Sequence, residues 1–430
     1  MSAQRRRVAI TGIGLVTPLG NDAPTTWRAL LEGRSGIAPI ASFDASGFAV
    51  RIAAEVKGFD GAARLGDPSL AEVAGRHNRF ALAAADEAFS DAGIRPDEAN
   101  ANEWACVVGS GMMGVEFEEL LRLQRRCAPE GTLDPSRLFD APPDPRAYRR
   151  NHPVQGLALL VSRFGIRGPA SAVHTACASG GQALGAALRL VRRGRVRFAL
   201  AGGFDSMVNP VGLAAFCLLS ALSPDNDAPE RASRPFDRTR NGFVLGEGAG
   251  FVVLEEWESA RRRGARIYAE LAGDGNSLSS YRITDSHPSG DGPIQAIEQA
   301  LRDAGAVPSD VGYLNAHGTS TPMNDRSECA AVRAVFGDAV SALAVSSTKS
   351  LTGHLIAAAG AVEAAVTVLA LHDGILPPNA NLEERDPECD LEFVTGAAWR
   401  RPVRVALSTS FGFGGSNSCL ALRHPAEVGG

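Results

Sequence analysis

Short apolar runs alternate with longer stretches of mixed character along the whole chain. RVAITGIG reads as a buried strand and turn, and TTWRALLEG as the helix after it. ACVVGSG and RFALAGGFDSM are further strands, and FVVLEEWESARRRGA runs from a strand into a helix. The second half repeats the alternation. PIQAIEQALRDAG is a helix, and GYLNAHGTST and LAVSSTKSLTGH are strands that end in loops. VRVALSTSFGFGGSNSCLALR supplies the last strands. Strands alternating with helices predict an α/β fold.

One element breaks the amphipathic rule. The helix predicted over 355–372 is full of Ala and Gly and has few polar positions. A helix apolar all round is buried between layers, which predicts a layered fold with helices in the middle. Two αβ halves, about 1–260 and 261–430, are expected, without a residue-level repeat. The segment 125–155 lacks periodicity and is rich in Pro and Arg. It reads as an excursion: a solvated loop or a cap over a partner or substrate.

Composition narrows the class. With 430 residues, 45% hydrophobic and 21% charged, the chain is neither disordered nor a small disulfide scaffold. At roughly 100–200 residues per domain, two or three units are expected, which can fuse into one body. A net charge of -5 and a pI near 6.0 give no basic stripe for nucleic acid. Seven cysteines are scattered without a CxxC pair, which fits a reducing cytoplasm and disfavours a zinc ribbon. Arg5-Arg6-Arg7 before VAITGIGLV imitates a signal peptide, but Gly, Thr and Pro interrupt the run, so a first strand is expected. No apolar run reads as a membrane span. Of 43 Lys and Arg residues, only Lys57 and Lys349 are lysine. That bias is genomic drift, yet it asks why position 349 keeps its lysine.

Candidate chemistry follows from motifs. Gly109 to Gly114 match GxGxxG, but no second strand with a terminal acid follows at the required distance, so a dinucleotide site is rejected. GxSxG and HExxH are absent. His77, His152, His287, His372 and His424 read as structural or solvated. In VHTACASGGQALG, Cys177 stands at the start of a helix, where the dipole is expected to lower its pKa. His317 in NAHGTST and His354 in SSTKSLTGH lie in loops after strands, where α/β sites are common. Cysteine and two histidines make a constellation for thiol chemistry. Glycines around Phe413 in SFGFGG expose N–H groups suited to an oxyanion hole or a gate.

Together these residues resemble the β-ketoacyl-acyl carrier protein synthases, in their elongating type II branch of the thiolase-like superfamily. TACASG, GFVLGEGAG, NAHGTSTP, SSTKSLTGH and SFGFGG stand in that family's order, from ITGIGLVTPLG onward. The resemblance implies a thiolase-like αβαβα fold of two related halves, with the nucleophile in 1–260 and both catalytic histidines in 261–430. It implies Cys177, His317, His354 and Lys349 as catalytic, Cys177 and Phe413 N–H as oxyanion hole, and Glu363 as partner of Lys349. Thr319 and Thr321 match pantetheine-binding hydroxyls; Met112, Phe216 and Phe413 match the acyl pocket and gate. The implied reaction is decarboxylative Claisen condensation of an acyl thioester with malonyl-acyl carrier protein, in fatty-acid elongation. No cofactor and no metal are implied. Acyl carrier protein is the implied partner, and the implied assembly a homodimer or a heterodimer with a chain-length-factor-like subunit. A ketosynthase of a dedicated type II polyketide or polyene pathway is the alternative; a non-catalytic chain-length subunit is disfavoured by Cys177. A thiolase would carry a second cysteine in SFGFGG; Cys419 lies beyond it and reads as core. Ser220 stands where the family often has a basic residue for carrier docking; Arg125, Arg126, Arg149 or Arg150 is expected to contribute the docking charge instead.

Overall fold

A computed structural model describes residues 5–111, 117–128, 131–140, 145–150, 152–284 and 287–428. The signal-like N-terminal run folds as strand β1 (Val8–Val16), buried along its whole length. The first half continues with helix α1 (Arg76–Ala92), β2 (Trp104–Ser110), α2 (Gln155–Phe164), β3 (Ala170–Val173), α3 (Ser179–Arg192), β4 (Phe198–Ser206) and β5 (Glu247–Glu256). The second half holds β6 (Ala269–Leu278), α4 (Asp291–Ala304), β7 (Val311–Asn315), α5 (Pro322–Phe336), β8 (Ala344–Ser346), α6 (Ala359–Asp373), β9 (Val405–Phe411) and β10 (Ser416–Arg423).

Both halves have one topology. The first half-sheet runs β3-β2-β4-β5-β1, and the second runs β8-β7-β9-β10-β6 with a two-residue strand, Glu392–Phe393, outside β8. In each, the first three strands are parallel and the last two antiparallel. The repeat invisible in the sequence is therefore present in the backbone. The half-sheets are joined where Ala9 pairs with Glu270 and Ile10 with Ala269.

Period-two alternation sorts the strands' side chains into layers. Trp104, Cys106 and Val108 of β2 face one core with α1, while Ala105 and Val107 face a second core with α3 and α6. In β9, Val405 and Leu407 face the core under α4 and α5, and Ala406 faces the middle. The layers are thus helices, sheet, α3 with α6, sheet, helices, as the resemblance implies. Ile356–Asp373 is apolar and long enough by composition to cross a bilayer, yet 83% of it is buried here as the central core element. A membrane-like composition is what two apolar sheet faces require of the helix between them.

The middle layer works because two helices cross at small residues. A Cβ on Gly180 would lie 2.6 Å from the Ala361 nitrogen, and one on Gly360 would lie 2.7 Å from the Gly181 nitrogen. Neither backbone can yield, since each is held between sheets. Gly180→Ala is expected to destabilise the fold by about 1–3 kcal/mol, the usual cost of overpacking. Urea unfolding of the variant beside wild type measures this; an unchanged midpoint would show that the crossing can open.

Candidate active site

Three turns bring the chemistry together. The first is the 3-10 turn Ala176–Ala178 ahead of α3. Ala176 has φ 50°, a conformation costing a non-glycine residue about 1–3 kcal/mol. Ser179 holds it in place: its hydroxyl accepts the Thr175 N–H at 2.8 Å and donates to the Ala176 carbonyl at 2.7 Å. Cys177 is left buried at the turn, beside the second turn.

That second turn carries His354. Its Nε2 lies 3.1 Å from the Cys177 sulfur. Its Nδ1 accepts the Ile356 N–H at 3.3 Å, which assigns the proton of the neutral ring to Nε2. His354 therefore points an N–H at the reacting centre. The third turn carries His317, whose ring lies 5.3 Å from that of His354 between centroids. Glu328 fixes this turn, accepting the N–H groups of His317 at 2.9 Å and Gly318 at 2.8 Å. Among the described residues, the buried Nδ1 of His317 has no hydrogen-bond partner. Cys177, His317 and His354 are the one group of metal-ligating side chains close enough to share an ion among the described residues, with donor atoms within 4.8 Å. The N–H of His354 aimed at the centre suits an oxygen acceptor better than a metal.

The buried Lys349 ammonium pairs with Glu363 of α6. Burial pushes Glu363 up to about 7 against the pull of Lys349. Burial also drives both histidines well below the ordinary imidazole range, and the Lys349 charge pushes the same way. Both rings are thus neutral donors. Lys349 adds to what burial does and favours the uncharged rings.

Cys177 departs from expectation. Burial pushes its thiol up to about 12, opposed by Lys349 and by the backbone N–H groups of Phe413 and Cys177. The helix start was expected to lower this pKa, but loss of water outweighs the dipole. Those two N–H groups nevertheless converge on the sulfur, where the oxyanion hole was expected. Gly414 and Gly415, with φ 79° and 81°, allow the turn that aims the Phe413 N–H.

A cavity of about 320 Å³ opens beside the sulfur, lined by both histidines, Phe216, Phe243, Thr319, Thr321, Ile356 and Phe413. The Thr319 and Thr321 hydroxyls lie 2.9 Å apart. Phe216 packs edge-on against Phe243, which packs edge-on against His354. Met112 lies outside the described residues. Ser220 lies at the cavity with Leu219, which is 51% exposed. Among the expected docking charges, Arg150 is taken up by an ion pair with Glu119, which removes it as a free contact. Arg125 and Arg149 are exposed. Cys419 is wholly buried on β10, as core. His77, stacked on Phe204, is lowered to about 4 by burial and is structural.

Sequence reading missed Glu328, Phe243 and Asp205. Glu328 had a signal: Asp325, Glu328, Val332 and Phe336 share one buried helical stripe. A carboxylate on an apolar stripe needs a partner, and here the partner is the His317 turn.

Thiol, paired histidines and oxyanion N–H groups on this doubled fold define a condensing, acyl-transferring enzyme. The chain belongs to the β-ketoacyl synthase family: the model of the beta-ketoacyl synthase N-terminal domain matches residues 5–260, and that of the C-terminal domain residues 268–383. It is 42% identical to the 3-oxoacyl-[acyl-carrier-protein] synthase 2 of Synechocystis sp., over 98% of each chain. The ishigamide ketosynthase/chain length factor superposes with a TM-score of 0.87 at 35% identity, covering 97% of this chain and 99% of that one. A type II polyketide ketosynthase solved with its acyl-carrier protein and a bound hexaketide also gives 0.87, at 30% identity, over 98% and 99%.

A thiol of such high pKa makes a checkable prediction. Alkylation of Cys177 by iodoacetamide, followed by mass spectrometry of its peptide, is expected to rise about tenfold per pH unit from 7 to 9. A plateau below pH 8 would instead show a preformed thiolate.

Proposed function

We propose that the protein elongates acyl chains on acyl carrier protein by decarboxylative Claisen condensation, giving 3-oxoacyl-acyl carrier protein in fatty-acid elongation. One observation supports this most: the Cys177 sulfur lies 3.1 Å from a histidine N–H donor, with the Phe413 and Cys177 N–H groups converging on it. An acyl thioester on a phosphopantetheine arm enters beside Thr319 and Thr321. Cys177 attacks its carbonyl, and the two backbone N–H groups hold the oxyanion. The pantetheine thiol leaves with the proton that Cys177 gives up, and the acyl group stays on sulfur.

Malonyl-acyl carrier protein then takes the same arm site. His354 and His317, both neutral, donate to its thioester carbonyl as carbon dioxide leaves. The enolate carbon attacks the acyl-Cys177 carbonyl, breaks the carbon–sulfur bond and releases the 3-oxoacyl product. Loss of carbon dioxide drives the new carbon–carbon bond, so the sequence of steps calls for no redox cofactor. The chain is 42% identical both to the Synechocystis synthase and to a putative polyketide beta-ketoacyl synthase of Streptomyces cyaneus; what favours the fatty-acid reading is the further 3-oxoacyl-[acyl-carrier-protein] synthases 2, at 41% in Coxiella burnetii and Vibrio harveyi.

Exposed Arg125 and Arg149 remain candidates for acidic carrier protein. The outer edge of β3 is one of the two ends of the sheet, without a neighbouring strand among the described residues, and suits pairing with a second subunit, either another copy or a chain-length-factor-like relative. A soluble, cytoplasmic setting completes the reading.

Mass spectrometry of Cys177 after incubation with a panel of acyl-carrier proteins tests the substrate class. Long saturated chains are expected; loading of polyketide chains alone would overturn the fatty-acid assignment. Cys177→Ala should abolish condensation, and persistent product would remove it as nucleophile. Lys349→Arg should cut carbon dioxide release about tenfold or more, because a planar guanidinium does not fit the buried ammonium site. Release at the wild-type rate would make Lys349 dispensable as a lysine.

A further inference from the structure

The doubled topology gives every active-site element a counterpart in the other half. The turn Ala176–Ala178 before α3 corresponds to Ile356–Ala358 before α6. Ala176 has φ 50° and Ile356 φ 48°. Gly180 and Gly360 make the reciprocal close approaches between the helices. Cys177 therefore corresponds to Ala357.

The strands β4 and β9 correspond in the same way. Counting from their first residues, Phe198 and Val405, Asp205 falls where Gly412 falls, and Ser206 where Phe413 falls. Gly412 brings no side chain to its place: a Cβ there would lie 2.7 Å from the Thr175 oxygen and 3.2 Å from the Cys177 nitrogen. Asp205 fills the matching place. Its carboxylate accepts the Ala357 N–H at 3.1 Å and the Ser206 N–H at 2.8 Å. These donors are the counterparts of Cys177 and Phe413, whose N–H groups form the oxyanion hole.

We infer that the fold contains a second anion hole, built from both halves and filled by the carboxyl group of Asp205, and that this bond positions His354 for decarboxylation. One of its two donors lies in the segment that carries His354: Ala357 stands three residues beyond it, in the turn whose Ile356 N–H fixes the His354 tautomer. Among the described residues no cation pairs with Asp205. Burial raises its pKa to about 7, and the same two N–H groups are what favour its charge. Gly111 packs against it, with room for no Cβ: the nearest carboxylate oxygen would be 2.8 Å away. Asp205 touches no reacting atom in this scheme; it is a positioning residue. The inference rests on the role of His354 in the proposed condensation.

The test separates the two half-reactions in Asp205→Ala and Asp205→Asn. Carbon dioxide release from malonyl-carrier protein is expected to fall about 10²-fold in Asp205→Ala, the scale of a misplaced catalytic group, while acylation of Cys177 is retained. Formate should restore release in Asp205→Ala, since it can re-enter the vacated hole, and chloride should not. Asp205→Asn, which turns an amide N–H toward one of the two donors, should lose release without formate rescue. Undiminished release in both variants, or a loss of acylation in step with release, would overturn the inference. Thermal unfolding reads the hole without turnover: formate should raise Tm of Asp205→Ala and leave wild type unmoved, and equal response in both would overturn it. If Asp205→Ala does not fold, Asp205→Asn decides, with wild-type release counting against the role. Wild type that released no carbon dioxide would defeat the condensation reading, while the formate effect on Tm would still judge the hole.

Discussion

The structure depends on two helices crossing without side chains between them. At Gly180, facing Ala361, and at Gly360, facing Gly181, the backbones of α3 and α6 approach closer than a Cβ on either glycine would allow. Because the helices cross near their N-terminal ends, the turns ahead of them are drawn to one place. One turn carries Cys177, and the other carries His354. Their 3.1 Å contact, between residues 177 positions apart in sequence, follows from that crossing. Larger residues would separate the helices, and with them the sulfur and the ring.

Burial then sets the electrostatic character of the site. Water is excluded, so each group adopts the protonation state that costs least in a low dielectric. The thiol keeps its proton, both imidazoles stay neutral, and the Lys349 ammonium, paired with Glu363, pushes the histidines the same way as burial does. Uncharged N–H donors are what remain. Such a site needs no rearrangement when negative charge develops, which is the condition for electrostatic stabilisation of an enolate or a tetrahedral oxyanion.

Much of this was legible in the sequence, for identifiable reasons. Cys177, His317, His354 and Phe413 stand in loops whose small and hydroxyl neighbours mark them, and the all-apolar helix announced the middle layer. The protonation state of Cys177 was not legible, because a dipole is local and can be read from the chain, whereas burial depends on everything packed around it. Glu328 and Asp205 were hidden for a related reason. Each carboxylate accepts backbone N–H groups from a turn, and a backbone N–H has no identity in a sequence. Arg150 looked like a free charge because its partner Glu119 lies across the irregular excursion. The internal repeat was invisible because it survives in strand order and in paired positive φ values, not in residue identity.

The central helix has a consequence for how the chain comes to be folded. Ile356–Asp373 is as apolar as a bilayer-spanning segment and has no polar face to show to water. It must be covered on both sides at once, and β9 and β10, which form part of one cover, are synthesised after it. The first half-sheet is complete as polypeptide by residue 256. Until the last strands emerge, a nascent chain therefore holds an oily helix and an uncovered sheet face with no final partner. Partly folded chains with such surfaces associate with one another, so the order of synthesis makes this protein reliant on rapid completion or on shielding by other molecules.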